Sequence, residues 1–177
     1  ATVRASPSRP APGRAILGEM QSIIRSSRSI FDRDDFNEAL FFPRREASAP
    51  GRDAIDLFVD VGGARLHVRR HAAPAAVCTL LLFHGNGEVV ADYDDSAAQF
   101  ARCGAALVVA DYRGYGQSDG APTLRALIAD ARPIALAVRE ATGGPLVVMG
   151  RSLGGAAAHE LYALPIDGMI GVVLESA

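Results

Sequence analysis

Gly150-Arg151-Ser152-Leu153-Gly154 constrains the fold more than any other segment of this chain. It follows an apolar run, Pro145 to Met149, and opens a small-residue stretch from Gly155 to Leu161. The pattern predicts strand, sharp turn, helix, with a serine at the apex. A turn this tight leaves no room for side chains beside the serine, which explains glycine at 150 and 154. Tension in such a turn holds the hydroxyl out of the sheet, where a base and a carbonyl can both reach it. Ser152 is therefore the candidate nucleophile.

Two further segments share this grammar. Val77 to Phe83 (VCTLLLF) is a continuous apolar run, the mark of a strand buried on both faces. It ends in His84-Gly85-Asn86-Gly87. Ala105 to Ala110 (AALVVA) is another such run, and Asp111-Tyr112-Arg113-Gly114-Tyr115-Gly116-Gln117-Ser118 follows it. The three segments FHGNG, DYRGYGQSDG and GRSLGG together resemble the α/β-hydrolase superfamily over residues 50 to 177. Their wording is most similar to the serine hydrolases of the BEM46-like branch.

The resemblance implies a mainly parallel sheet and a serine esterase or thioesterase working through an acyl-enzyme. It implies an oxyanion hole made by the main-chain N–H of Asn86, or of Gly87, and that of Leu153. Gly85 and Gly87 let the main chain approach a substrate closely. Tyr112 is a further candidate substrate contact, although the segment that carries it also reads as a loop-shaping element. His84 reads as a brace for its loop and not as the base. The resemblance further implies a triad acid and then a histidine after the serine, on a sheet of about eight strands.

No residue after Ser152 fills those roles well. His159 lies about 10 Å along the same helix, on the wrong part of it to take the serine proton. Glu175 falls near the end of a final strand-like run, Gly171 to Leu174, but no histidine stands beside it. His67 and His71 lie on an early strand, far from that end of the sheet. The expectation is a chain that holds the first two-thirds of the fold, with the acid, the histidine and any lid supplied beyond Ala177. The alternative is a non-catalytic binding module, or one half of a two-piece enzyme.

Composition narrows the classes. Hydrophobic residues make up 49% of 177, enough for one packed domain. The net charge of −2 gives no nucleic-acid footprint. All 18 basic residues are arginine, which excludes lysine Schiff-base chemistry and a Ser–Lys dyad. The two cysteines, Cys78 and Cys103, read as small core hydrophobes. No metal-ligand spacing occurs, so neither a metal nor another cofactor is expected. The expected partner is a small-molecule or lipid acyl ester.

Residues 1–50 read as an extension to the domain at 51–177. Residues 1–13 are rich in Pro, Ser and Arg and read as a flexible lead. Ile16, Leu17, Met20, Ile23, Ile24 and Ile30 fall at helical spacing. That helix either packs on the domain or touches a membrane or partner with its apolar face. A short helix is predicted from Asp34 to Leu40. With no secretory signal or membrane span in the sequence, the expectation is cytoplasmic. Downstream, Ile55–Val61 and Arg65–His71 alternate as a hairpin. Helices are predicted near Asp94–Arg102 and over Thr123–Ala141, the latter with Leu124, Leu127, Ile128, Ala131, Leu136 and Val138 inward and kinked or interrupted at Pro133.

Overall fold

The computed structural model describes residues 29–177. The predicted lead at 1–13 and nearly all of the Ile16–Ile30 helix lie outside the described residues. Ile30 itself opens a single 3-10 turn, Ile30–Asp32, and is exposed. Helix α1 follows at Asp34–Leu40, as the sequence predicts.

Strands β1 (Ala54–Val61) and β2 (Ala64–His71) form an antiparallel hairpin with Val61 opposite Ala64. Gly62 and Gly63 make the whole connection, at φ of 53° and 80°. Two consecutive positive φ values are what a two-residue turn of the right twist demands, and glycine meets them without strain.

The remaining strands are β3 (Cys78–Phe83), β4 (Ala105–Ala110), β5 (Leu146–Arg151) and β6 (Met169–Glu175). The sheet order is β1-β2-β4-β3-β5-β6. From β4 to β6 all neighbours are parallel, while β2 meets β4 antiparallel. This is the α/β-hydrolase arrangement, with the antiparallel hairpin on its N-terminal side.

The continuous apolar runs are explained by burial on both faces. Leu81 and Phe83 point into a core with Val108, Leu127, Ile134 and Leu146, all at most 3% exposed. Leu80 and Leu82 alternate onto the other face with Leu107, Val109 and Tyr93. Fully burying one such side chain contributes about 1.5–3 kcal/mol. One face is covered by α3 (Leu124–Thr142) and α4 (Gly155–Ala163). On the other, Phe100 of α2 (Ala97–Arg102) packs over the core. A 3-10 stretch at Val90–Ser96 forms the front of the segment predicted as one helix near Asp94–Arg102.

Three expectations are corrected here. Helix α3 runs unbroken through Pro133. A proline in a helix interior costs about 3 kcal/mol. However, the carbonyl it strands is that of Ala129, an exposed residue that water can reach, and Leu127, Ala131, Ile134 and Val138 pin the helix on either side. Leu136, predicted to face inward, is 47% exposed, and Ile134 and Ala135 take the core positions. Cys103 is exposed at the C-cap of α2, not a core residue, while Cys78 is half-buried.

The chain enters β4 on one side of β3 and β5 on the other. Such a reversal leaves a crevice outside the carboxyl ends of the strands, where ligands of open α/β sheets bind. The loops after β3, β4 and β5 all open there. They carry His84-Gly85-Asn86-Gly87, Asp111 to Ser118, and Ser152.

Candidate active site

Ser152 follows β5 directly and leads through one 3-10 turn, Ser152–Gly154, into α4. Its φ is 48°, a left-handed conformation that costs a serine energy and persists only where the surroundings impose it. The flanking glycines show what imposes it. A Cβ at Gly154 would sit 2.0 Å from the Phe83 carbonyl oxygen, and one at Gly150 would sit 2.6 Å from the Gly154 oxygen. The start of α4 is thus pressed against the exit of β3. Ser152 is exposed and Leu153 half-buried.

The loop after β3 is held from three directions. His84 is fully buried, and its Nδ1 lies 2.8 Å from the Gly85 carbonyl. Its Nε2 faces Asp111 Oδ1 at 3.3 Å. Tyr112 is 4% exposed, and its hydroxyl donates to the His84 carbonyl. Tyr112 therefore supports the loop from beneath, with its polar atom already committed. Gly85 N–H donates to Glu88 Oε2 at 2.7 Å, and the Tyr93 hydroxyl donates to the same oxygen at 2.6 Å. Glu88 Oε1 in turn lies 3.4 Å from Arg151 Nε, which joins this loop to the residue before the serine. The Glu88 charge, with smaller help from Tyr93, raises the Arg151 pKa further. Burial, then Glu88, pushes the Tyr93 phenol well up.

Beneath both loops lies a buried network of charges. Asp111 is fully buried; it meets His67 Nδ1 at 2.8 Å and accepts from Val90 N–H at 3.0 Å. His67 Nε2 lies 3.0 Å from Asp56, which also pairs with Arg69, and Arg69 continues to Asp94. Burial alone would lift the Asp111 pKa, but hydrogen bonds and charge from His67 and His84 outweigh it and hold the carboxyl below the ordinary value. Burial alone would lower His67, yet Asp111 and Asp56 reverse the sign and raise it. His71 has only Asp94 at 3.6 Å, so burial dominates and its pKa falls.

All four histidines of the chain are thereby engaged away from Ser152. His67, His71 and His84 belong to the buried network. His159 Nδ1 lies 2.8 Å from the Gly155 carbonyl within its own helix. Glu175 stands opposite Arg151 in the register of β5 and β6 and is exposed.

Asn86, Gly85 and Gly87 lie together in the loop after β3, and the Gly154 contact brings the elbow against the base of that loop. Two features were missed by reading the sequence. Glu88 follows HGNG directly, and an acid next to a glycine-rich loop was the available signal. The Asn86 carboxamide bonds to residues near position 40 and to Tyr115, partners too remote in sequence for any local pattern to reveal.

Comparison with known structures agrees with this architecture. The chain is similar to a predicted CIB-like hydrolase from Thermoplasma acidophilum, at 24% identity and a TM-score of 0.55, covering 70% of this chain and 63% of that one. It is similar to the esterase Pf2001 of Pyrococcus furiosus, at 17% identity and a TM-score of 0.60, covering 74% and 56%. It is also similar to the Cif epoxide hydrolase of Acinetobacter nosocomialis, at 17% identity and a TM-score of 0.58, covering 98% and 48%. The chain thus spans about half to three-fifths of the length of these structures. The model of the Hydrolase_4 family, described as Serine aminopeptidase, S33, matches residues 74–177, more than half of the chain. The chain belongs to this family and has the α/β-hydrolase fold.

Proposed function

We propose that this chain carries the nucleophile and oxyanion hole of a serine hydrolase that cleaves esters or thioesters through an acyl-enzyme. The observation that carries the reading is Ser152 at a positive φ between glycines whose places no larger residue could take. A serine held in that strain has its hydroxyl presented at the strand ends, where the switch-point crevice opens.

In the proposed reaction Ser152 Oγ attacks the acyl carbonyl carbon. The carbonyl electron pair moves onto oxygen, and that oxyanion is received by the main-chain N–H groups of Asn86 and Leu153. The proton from Ser152 passes to a histidine oriented by an acid and is delivered to the leaving alcohol or thiol. Water then repeats the attack and releases the acid. With all four histidines of this chain engaged elsewhere, that pair is assigned to a part of the fold beyond β6. Gly85 and Gly87 would border the acyl group. A small-molecule or lipid acyl ester is the proposed substrate class, and no cofactor has a role in this scheme.

The committed histidines also favour a second reading, a hydrolase fold that binds without turnover. A fluorophosphonate probe separates the two. On the serine-hydrolase reading it labels the full-length protein at Ser152, and Ser152→Ala abolishes labelling. Labelling that survives the substitution rejects Ser152, and no labelling of the wild type favours the binding reading.

A further inference from the structure

The segment before β1 does more than pack on the domain. Leaving α1, the chain runs beside the loops after β3 and β4, and its main chain is tied to both. Asn86 Nδ2 donates to the Leu40 carbonyl at 2.6 Å. Asn86 Oδ1 accepts from Phe42 N–H at 2.9 Å and from the Tyr115 hydroxyl at 2.7 Å. The Tyr115 hydroxyl in turn lies 3.1 Å from Phe42 N. Two residues on, the Arg44 carbonyl accepts from Gly116 N–H at 2.8 Å. Arg44 Nη1 reaches the Gly87 carbonyl at 3.3 Å, and its other nitrogen pairs with Asp92. Arg45 completes the path by donating to the Ser118 carbonyl.

Three of these bonds converge on one residue, Asn86. The Asn86 side chain has one oxygen and one NH2 group to offer. Both are committed, and three partners come from two distant segments. An amide side chain bonded on both ends is fixed in position, and so is the main chain that carries it. The segment lies outside residues 74–177, the part that matches the family model.

We propose that residues 40–45 form a strap that fixes the oxyanion loop, and that the Asn86 carboxamide is the positioning residue through which it acts. The inference rests on the proposed role of the Asn86 main-chain N–H. An oxyanion donor contributes by being aimed before the charge develops. Removing the Asn86 side chain leaves that N–H chemically intact but frees it from the strap. Tyr115 is fully buried, and its hydroxyl is the second clamp. Arg44 is the third, on the neighbouring carbonyl.

The test uses the full-length protein, a short-chain aryl ester, and a trifluoromethyl ketone whose adduct with the serine carries an oxyanion. Asn86→Ala, Tyr115→Phe and Arg44→Ala are compared with wild type, with active sites counted by burst titration. Loss of a whole oxyanion donor costs about 10²–10³-fold in kcat. Misaiming one is expected to cost about 10²-fold in Asn86→Ala and about tenfold in Tyr115→Phe, with less in Arg44→Ala. KM should stay within about threefold, and the inhibition constant of the ketone should rise in step with the loss in kcat/KM. A purely structural role would lower the number of titratable sites and leave the ketone affinity of the remainder unchanged, and that result overturns the strap. If Asn86→Ala does not fold, the other two variants decide in the same way. A parallel Ser152→Ala arm keeps the two ideas apart. Turnover that persists there rejects the serine mechanism itself, whereas its loss with unchanged ketone affinity in the clamp variants rejects only the strap.

Discussion

At the scale of single residues, the elbow is a problem of space before it is one of chemistry. Gly154 lies where a methyl group would meet the Phe83 carbonyl at 2.0 Å, backbone against backbone. Neither partner can give way without moving β3 or α4. Gly154→Ala is therefore expected to cost about 3 kcal/mol or more, at the upper end of overpacking effects, and to abolish labelling of Ser152. Gly144 is the control, with open space around its Cβ position and no positive φ. Gly144→Ala should stay within about 0.5 kcal/mol. Urea midpoints of the two variants check this, and equal shifts would show that the close packing at the elbow is not rigid. This part of the site was legible in the sequence because steric demand writes itself locally: a glycine two residues before the serine and another two after. Asn86's partners were not legible, because nothing near position 86 announces a bond to residue 40.

At the scale of elements, the loops after β3 and β4 share one buried hub, Asp111. It ties His84, His67 and the Val90 amide together, and a Cβ at Gly116 would sit 1.9 Å from its carboxylate. The sign of its pH effect follows from the partners. His67 has a folded-state pKa raised above the ordinary 6.5, so its contribution to stability is complete below about pH 6.5 and is lost as pH rises through the folded value. Asp111 is lowered from 3.8, so its contribution is present above that value and is lost as pH falls through the folded one. His71 is lowered, so it opposes folding increasingly as pH falls below 6.5. Histidine NMR titration should show one imidazole titrating above the ordinary value and one below it. Asp111→Asn should bring the high one down and leave the low one near its place. A His67 signal unmoved by that substitution would contradict the hub. The sequence showed that Asp111 opens a glycine-rich loop, but His67 lies 44 residues away across the sheet. Alternation along β2 placed that histidine on a strand without telling what it faced. The same limit applies to α3. Propensity spoke against Pro133, and the packing of Ile134 and Val138 overrode it.

At the scale of the whole molecule, the sheet is organised around β3, which like β5 has parallel neighbours on both sides. Leu81 at its centre is fully buried. Leu81→Ala should cost about 2–5 kcal/mol, measured by urea unfolding, since the close-packed layers on either side cannot collapse into the space. A cost under 1 kcal/mol would mean that the layers are looser than their burial implies. The fold was the most legible level, because a buried parallel strand needs an uninterrupted apolar run, and β3, β4 and β5 each have one. The register of those runs brings the ends of β3 and β5 level, with Phe83 opposite Gly150. Loops from three different strands thus meet at one edge, and residues 40–45 are hydrogen-bonded to two of them. That geometry supports the proposed covalent acyl group on Ser152. The most direct test is to quench the full-length protein during turnover of a slowly hydrolysed aryl ester and map the products by peptide mass spectrometry. One acyl adduct is expected, on Ser152, forming and decaying at rates that match the burst and the steady state. Sustained turnover with no adduct, or an adduct on another residue that accounts for turnover, would contradict it.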